Sequence, residues 1–160
     1  KVVDLTDKTY VPRGGTALYC SLGKTIVELG QRLDTLKEED KPSKVLVVTI
    51  TDGEDNSTIP GEKVYNLDDV KSMIKHQTDV YNWEFAYIGA NQDAWQVGDS
   101  MGVMGNTKMN YTATAAGTAV MFDKLTKSTV SYRASAAHLG SKGKKFAFDD
   151  DDKDTKVTTP

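Results

Sequence analysis

Leucine and isoleucine recur every three or four positions between residues 16 and 36, which is the spacing of one helix face. The stripe consists of Leu18, Leu22, Ile26, Leu29, Leu33 and Leu36. The pattern then changes to a compact, largely β-branched apolar run from Val45 to Ile50 that stops at Asp52-Gly53. These patterns predict a long helix followed by a central strand that is buried on both faces of a parallel sheet.

Helical and strand-like patterns continue to alternate after this strand. We expect a helix over residues 67–81, a strand over 83–88, a helix over 92–101, an edge strand over 108–111 and a last helix over 114–127. Alternation at these lengths predicts an α/β fold with a mostly parallel open sheet and helices on both faces. In such folds, ligands bind at the carboxyl ends of the strands.

The chain length and composition favour one domain with a tail. A chain of 160 residues, 38% of them hydrophobic and 27% charged, is long enough for one sizeable core but not for two ordinary domains. After Arg133 the sequence becomes rich in Ala, Ser, Gly and Lys and then contains four consecutive aspartates from Asp149. We therefore expect a domain over residues 1–134 and a flexible acidic tail over 135–160.

Charge, hydropathy and cysteine content exclude several classes of partner. The formal net charge of -3 provides no general basic excess for nucleic acid. No apolar run approaches the roughly 20 residues that cross a bilayer, and no leader pattern opens the chain, so we expect no membrane partner. Cys20 is the single cysteine, which rules out an internal disulfide and favours the reducing cytoplasm.

Oxygen-bearing side chains mark two points in the sequence, one at the start of the long helix and one at the end of the first predicted strand. Thr16 follows two glycines and opens the long helix, while Asp52 ends the strand and is followed by Gly53, Glu54, Asp55 and Asn56. Hydroxyl and carboxylate oxygens are ligands of hard divalent cations. Each point also has a plain structural interpretation, because Thr16 could be a helix N-cap and Asp52-Gly53 a turn.

Taken in order, these features resemble the von Willebrand factor A (vWA) family, especially its bacterial and bacteriophage cytoplasmic members. The matching features are Tyr10-x-Pro12-x-Gly14-Gly15-Thr16, a helix, an apolar strand and Thr51-Asp52-Gly53-Glu54-Asp55-Asn56. The resemblance continues through residues 87–94 to Tyr132-Arg133. It implies a Rossmann-like fold and a location in a bacterial or phage-infected cytoplasm or in a virion.

The resemblance also implies a metal-ion-dependent adhesion site (MIDAS). In the family, such a site holds Mg²⁺, or Mn²⁺ or Ca²⁺, through a threonine and an aspartate that match Thr16 and Asp52. An acidic side chain of a protein partner fills the open position on the ion. Glu54, Asp55 and Ser57 are candidate rim contacts, although a solvated loop is the simpler interpretation.

One part of the family pattern is missing. The family takes an aspartate and two serines from a DxSxS loop after its first strand, and this sequence contains no DxSxS. The family places that strand ahead of the region where this chain begins, so the domain looks incomplete at its N-terminus. A second chain that supplies the missing strand is therefore a further candidate partner.

Two alternatives to a metal-dependent binding module remain open. The first is a structural subunit of a viral or cellular assembly whose metal site is vestigial. The second is a serine acyl hydrolase, because Gly98-Asp99-Ser100-Met101-Gly102 fits the G-x-S-x-G pattern and Asp123 and His138 follow in triad order. The hydrolase is disfavoured because Ser100 falls near the end of a predicted helix, so we expect no enzyme.

Overall fold

The computed structural model describes residues 6, 8–9, 14–90, 93–135 and 144–148. Helices and strands alternate through this part of the chain, which confirms the α/β class. The elements are α1 (Leu18–Asp34), a 3-10 turn (Glu38–Asp40), β1 (Leu46–Thr51), α2 (Leu67–Tyr81), β2 (Glu84–Gly89), α3 (Ala94–Ser100), β3 (Lys108–Asn110) and α4 (Ala115–Ala134).

The three strands form a parallel sheet in the order β1-β2-β3. Leu46 is paired with Glu84, and Tyr87 with Lys108. Because each strand adds to the same side of the last one, β1 remains at an edge of the described sheet. The prediction that this strand is central is therefore wrong for the described residues. Its apolar pattern predicted a neighbour on both sides, and the described sheet provides only β2.

Two hydrophobic cores cover opposite faces of the sheet, as alternation along β2 requires. Phe85 and Tyr87 point into a core with apolar residues of α1 and α2. Ala86 and Ile88 point into a second core that contains Met121 of α4. The described sheet therefore has helices on both faces, as the sequence predicted.

The last helix is longer than its sequence pattern indicates. α4 begins at a Thr114 cap, whose hydroxyl accepts the Gly117 N–H at 3.0 Å, and continues to Ala134 instead of ending near residue 127. The exposed side of this helix also carries apolar residues, Val120 and Val130 among them. The sequence therefore shows no clear apolar stripe on one helix face. No helix in the described part of the chain combines the length and apolar character needed to cross a membrane.

Residues 144–148 belong to the packed structure, although the sequence assigned them to a flexible acidic tail over 135–160. Phe146 and Phe148 are buried in the second core, and their rings meet edge to face. The Phe148 N–H also donates to the Asn106 carbonyl at 2.7 Å. Charged residues around the two phenylalanines dominate the composition of this segment, so composition did not predict that the phenylalanines are buried. The rest of the predicted tail, apart from Ser135, lies outside the described residues.

Lys44 connects the beginning of β1 with the end of α4. Its ammonium donates to the carbonyls of Tyr132 and Ser135, and to the Ser135 hydroxyl at 2.8 Å. It also lies 4.5 Å from the centre of the Tyr132 ring. A cation at this position satisfies carbonyl groups that the helix end leaves without intrahelical partners.

Candidate functional site

The two residues singled out in the sequence lie on adjoining loops at the carboxyl end of β1. Thr51 ends the strand, and Asp52 and Gly53 follow it directly. A Cβ atom on Gly53 would lie 3.2 Å from the Thr16 hydroxyl oxygen. The residue after Asp52 therefore approaches the Thr16 side chain closely, and any larger residue at position 53 would crowd it.

Reciprocal hydrogen bonds hold these loops together in what we call the two-loop clasp, residues 14–17 and 52–57. The Thr16 N–H donates to Asn56 Oδ1 at 2.7 Å, and the Asn56 N–H donates to the Thr16 carbonyl at 2.9 Å. Gly15 has a φ of +93°, and a Cβ there would lie 2.9 Å from Ser57 Cβ. Glycine at position 15 thus permits both the backbone turn and the close contact.

Asp55 caps α1 from the other side of the clasp. Its Oδ1 accepts the Tyr19 N–H at 2.9 Å, in the first turn of the helix. The N-cap residue of α1 is Ala17, and it makes no side-chain capping bond. The cap is therefore supplied by a residue 36 positions away. No local pattern in the sequence indicates this role, which differs from the predicted rim contact.

Thr16 is not the N-cap of α1. The helix begins at Leu18, so Thr16 lies before the Ala17 cap position. Within the described residues, no hydrogen bond engages the Thr16 hydroxyl or the Asp52 carboxylate, and Asp52 is exposed. Both side chains therefore keep their oxygen atoms available to a ligand.

The electrostatic character of the clasp is negative. Partial burial raises the pKa of the Tyr19 hydroxyl, and the negative charges of Asp55 and Glu54 raise it further. Glu54 and Asp52 are exposed on the same loop. A field of this sign favours cations over anions.

The donor chemistry at Thr16 and Asp52 fits a hard divalent cation. A hydroxyl and a carboxylate oxygen match the preference of Mg²⁺, which commonly keeps several waters and takes one or two protein carboxylates. In the described part of the chain, no group of three or more His, Cys, Asp or Glu side chains could hold a metal. Thr16 and Asp52 would therefore need water or a further polypeptide to complete the coordination.

A cleft of about 280 Å³ runs from the clasp between α1 and β1. Its walls are the α1 side, with Thr16, Ala17, Leu18, Ser21, Leu22 and Thr25, and the β1 side from Val47 to Thr51. Every lining residue is apolar or carries a hydroxyl group. The sequence patterns did not reveal this cleft, because it depends on the distance between a helix and a strand.

The two described residues of the hydrolase alternative, Ser100 and Asp123, each bond to a neighbour in their own helix. Ser100 is the last residue of α3, and its hydroxyl donates to the Val97 carbonyl at 2.7 Å. Asp123 lies in α4 and pairs with Lys127 at 2.6 Å. A nucleophile elbow places its serine at a sharp turn directly after a strand, whereas Ser100 ends a helix. His138 lies outside the described residues.

No protein-family model matches the chain, and no curated protein or solved structure matches it either. The clasp and the cleft are therefore the features of this chain that bear on its function.

Proposed function

We propose that this chain is the larger part of a vWA-type module with a Rossmann-like fold that binds a protein partner through a divalent cation. Thr16 and Asp52 are the metal ligands that the chain contributes, and Mg²⁺ is the ion. The close approach of the Thr16 hydroxyl to Gly53, directly after Asp52, carries this proposal. It brings the loop that carries Asp52 next to Thr16, which is far from it in the sequence.

Four residues of the clasp have separate roles in this function. Thr16 offers a hydroxyl lone pair, and Asp52 offers the negative charge that compensates a dication. Gly53 permits their approach, and Asn56 fixes the backbone of the Thr16 loop. Holding the two loops in place beforehand lowers the entropy lost when an ion and a partner bind.

The bound cation would provide a Lewis-acidic position for a carboxylate oxygen of the partner. Binding would then depend on both metal and partner and would be reversible. The remaining ligands, which the vWA resemblance places on a DxSxS loop, would come from a polypeptide segment other than residues 14–57. The metal site of this chain alone is accordingly expected to be weak.

Paramagnetic Mn²⁺ gives a direct test, because it broadens NMR signals close to where it binds. Titration into the full chain should broaden the backbone amides of residues 15–17 and 52–54 before others. Asp52→Asn should lower the apparent affinity at least tenfold, because it removes the compensating charge while preserving the shape. Thr16→Val should also weaken binding, since it replaces the hydroxyl with a methyl group of similar size.

Glu54→Gln is the matched control. It removes one exposed negative charge from the same loop, so it measures the general electrostatic attraction of Mn²⁺ to the loop. Equal weakening by Glu54→Gln and Asp52→Asn would contradict a defined site. Absence of any response to Mn²⁺, Mg²⁺ or Ca²⁺ would favour the structural-subunit alternative.

A further inference from the structure

The outward face of α4 carries a row of exposed side chains, two of them apolar and two charged. In chain order they are Val120, Asp123, Lys127 and Val130. Steps of three and four residues place them along one face of the helix. The helix packs against the second core through Met121, Leu125 and Tyr132, which lie on its other side. The row is therefore directed away from the sheet.

This row is symmetric in the sequence about Leu125. Val120 and Val130 lie five residues before and after Leu125, and Asp123 and Lys127 lie two residues before and after it. In a two-fold interface, when residue i of one copy contacts residue j of the other, j also contacts i. Two antiparallel α4 helices that cross at the level of Leu125 would thus place valine against valine and carboxylate against ammonium. The face is complementary to itself.

Charge makes the match specific to the antiparallel direction. Asp123 and Lys127 form an exposed ion pair at 2.6 Å within one helix. In an antiparallel pair of helices, each carboxylate would also face an ammonium of the other copy, which joins the two ion pairs into a network of four charges. Networks contribute more than isolated exposed pairs do. A parallel pair would instead place like charges opposite each other.

The same pattern favours a second α4 over other segments of this chain as the occupant of this face. Aspartate and lysine four residues apart, each with a valine three residues further out, occur together once in the 160 residues. Only a second copy of the chain provides the complete pattern again. Val120 and Val130 are 55% and 61% exposed, so they have apolar surface that this contact would bury.

The ends of α4 allow two helices to approach each other. Ala116 and Ala134 are exposed and lie nine residues on either side of Leu125. Packed helices lie about 8–10 Å apart, depending on the side chains between them, and alanines at both ends leave room for the short distance. The symmetry therefore extends over almost the whole helix.

The size of this face predicts a weak association. α4 has 20 residues, so it is about 30 Å long and about 10 Å wide. A contact along it covers on the order of 300 Å² per copy, which is less than the roughly 800 Å² per partner of a standard stable interface. We therefore expect a reversible dimer that forms between micromolar and millimolar concentration.

We infer that α4 is the docking surface for a second copy of this chain, and that the two helices pack antiparallel with their crossing at Leu125. Val120 of each copy packs on Val130 of the other, and Asp123 of each copy pairs with Lys127 of the other. No residue of the two-loop clasp takes part, so the inference is independent of the metal function.

Sedimentation velocity of the full chain in EDTA, from micromolar to millimolar concentration, tests the dimer without divalent cations. The parent chain should pass from monomer to dimer over this range. Val120→Asp should weaken association about tenfold or more, because it places an unpaired charge against Val130. Val80→Asp is the matched control, since Val80 lies on α2 and is also 55% exposed, and it should associate like the parent.

Exchange of charges tests the antiparallel arrangement. Asp123→Lys and Lys127→Asp should each weaken self-association about tenfold or more, because like charges then face each other across the contact. An equal mixture of the two single variants should associate like the parent, since opposite charges face each other again in the mixed dimer. The double variant should also associate like the parent. Misfolding of the single variants would not be reversed by mixing them.

Four results would overturn the inference. They are a parent chain that remains monomeric at millimolar concentration, equal weakening by Val80→Asp and Val120→Asp, a mixture of the charge variants that does not recover, and a mixture that associates far more tightly than the parent, which would indicate parallel helices. A monomer in which the Val120 and Val130 methyl groups are shielded from a soluble paramagnetic probe in NMR would identify this chain's own residues as the occupant instead.

Discussion

Removing the Asp55 carboxylate is expected to destabilise the protein by releasing the first turn of α1. The side chain accepts the Tyr19 N–H at 2.9 Å, and Ala17 provides no side-chain cap. Loss of a capping side chain costs about 0.5–2 kcal/mol. For a chain of 160 residues, a loss of about 1 kcal/mol lowers the melting temperature by about 2–4 °C. We therefore expect Asp55→Ala to melt about 2–4 °C below the parent chain.

Two variants separate the hydrogen bond from the charge. Asp55→Asn keeps an oxygen acceptor and should recover most of the loss, apart from the favourable charge at a helix N-terminus, about 0.3–1 kcal/mol. Glu54→Ala removes an exposed carboxylate from the adjacent position and should have little effect. Melting followed by circular dichroism at pH 7, together with urea unfolding, measures the series.

The order of stability should be parent, Asp55→Asn, then Asp55→Ala, with Glu54→Ala close to the parent. Equal destabilisation by Asp55→Asn and Asp55→Ala would show that charge, and not the hydrogen bond to α1, is responsible. An Asp55→Ala variant as stable as the parent would refute the capping role.

Four further substitutions test other parts of the fold, one of them as a control. Gly23→Ala should destabilise the protein by about 1–3 kcal/mol through overpacking, because its Cβ would lie 2.5 Å from Tyr65 Cγ. Gly30→Ala is the control in the same helix, since its Cβ would meet nothing within 4 Å. It should stabilise the protein by up to about 1 kcal/mol in urea unfolding. Burial raises the pKa of Glu84, against a smaller opposing effect of a nearby lysine. The charged form therefore opposes folding above the ordinary pKa of the carboxyl, so Glu84→Gln should raise the melting temperature at pH 7 but not at pH 3; a gain of equal size at both pH values would contradict this. Phe146→Ala should cost about 3–5 kcal/mol in urea unfolding, and a neutral result would show that residues 144–148 are not part of the core.

Local periodicity accounts for the features that the sequence predicted well. The three- and four-residue spacing of leucines identified α1, and the β-branched run identified β1, because both patterns reflect burial within one element. The vWA resemblance, and not periodicity, implied that Thr16 and Asp52 belong to one site. The structure brings the Thr16 hydroxyl close to Gly53, the residue after Asp52.

Contacts between distant segments could not be predicted in the same way. Asp55 reaches Tyr19 across 36 positions, and Lys44 reaches Ser135 across 91. Both depend on how loops and helix ends approach one another after the sheet has formed. The burial of Phe146 was hidden for another reason, since the charged residues around it dominate the composition of its segment.

The all-parallel sheet sets the order in which the protein can assemble during its synthesis. Leu46 is paired with Glu84, 38 positions later, so β1 has no hairpin partner close in sequence. Translation at about 5–20 residues per second would add those 38 positions in about 2–8 s. During that interval β1 would be without β2, whether β1 is outside the ribosome or within its exit tunnel. The nascent chain would thus be most prone to aggregation in the interval when the apolar strand has emerged and its partner has not.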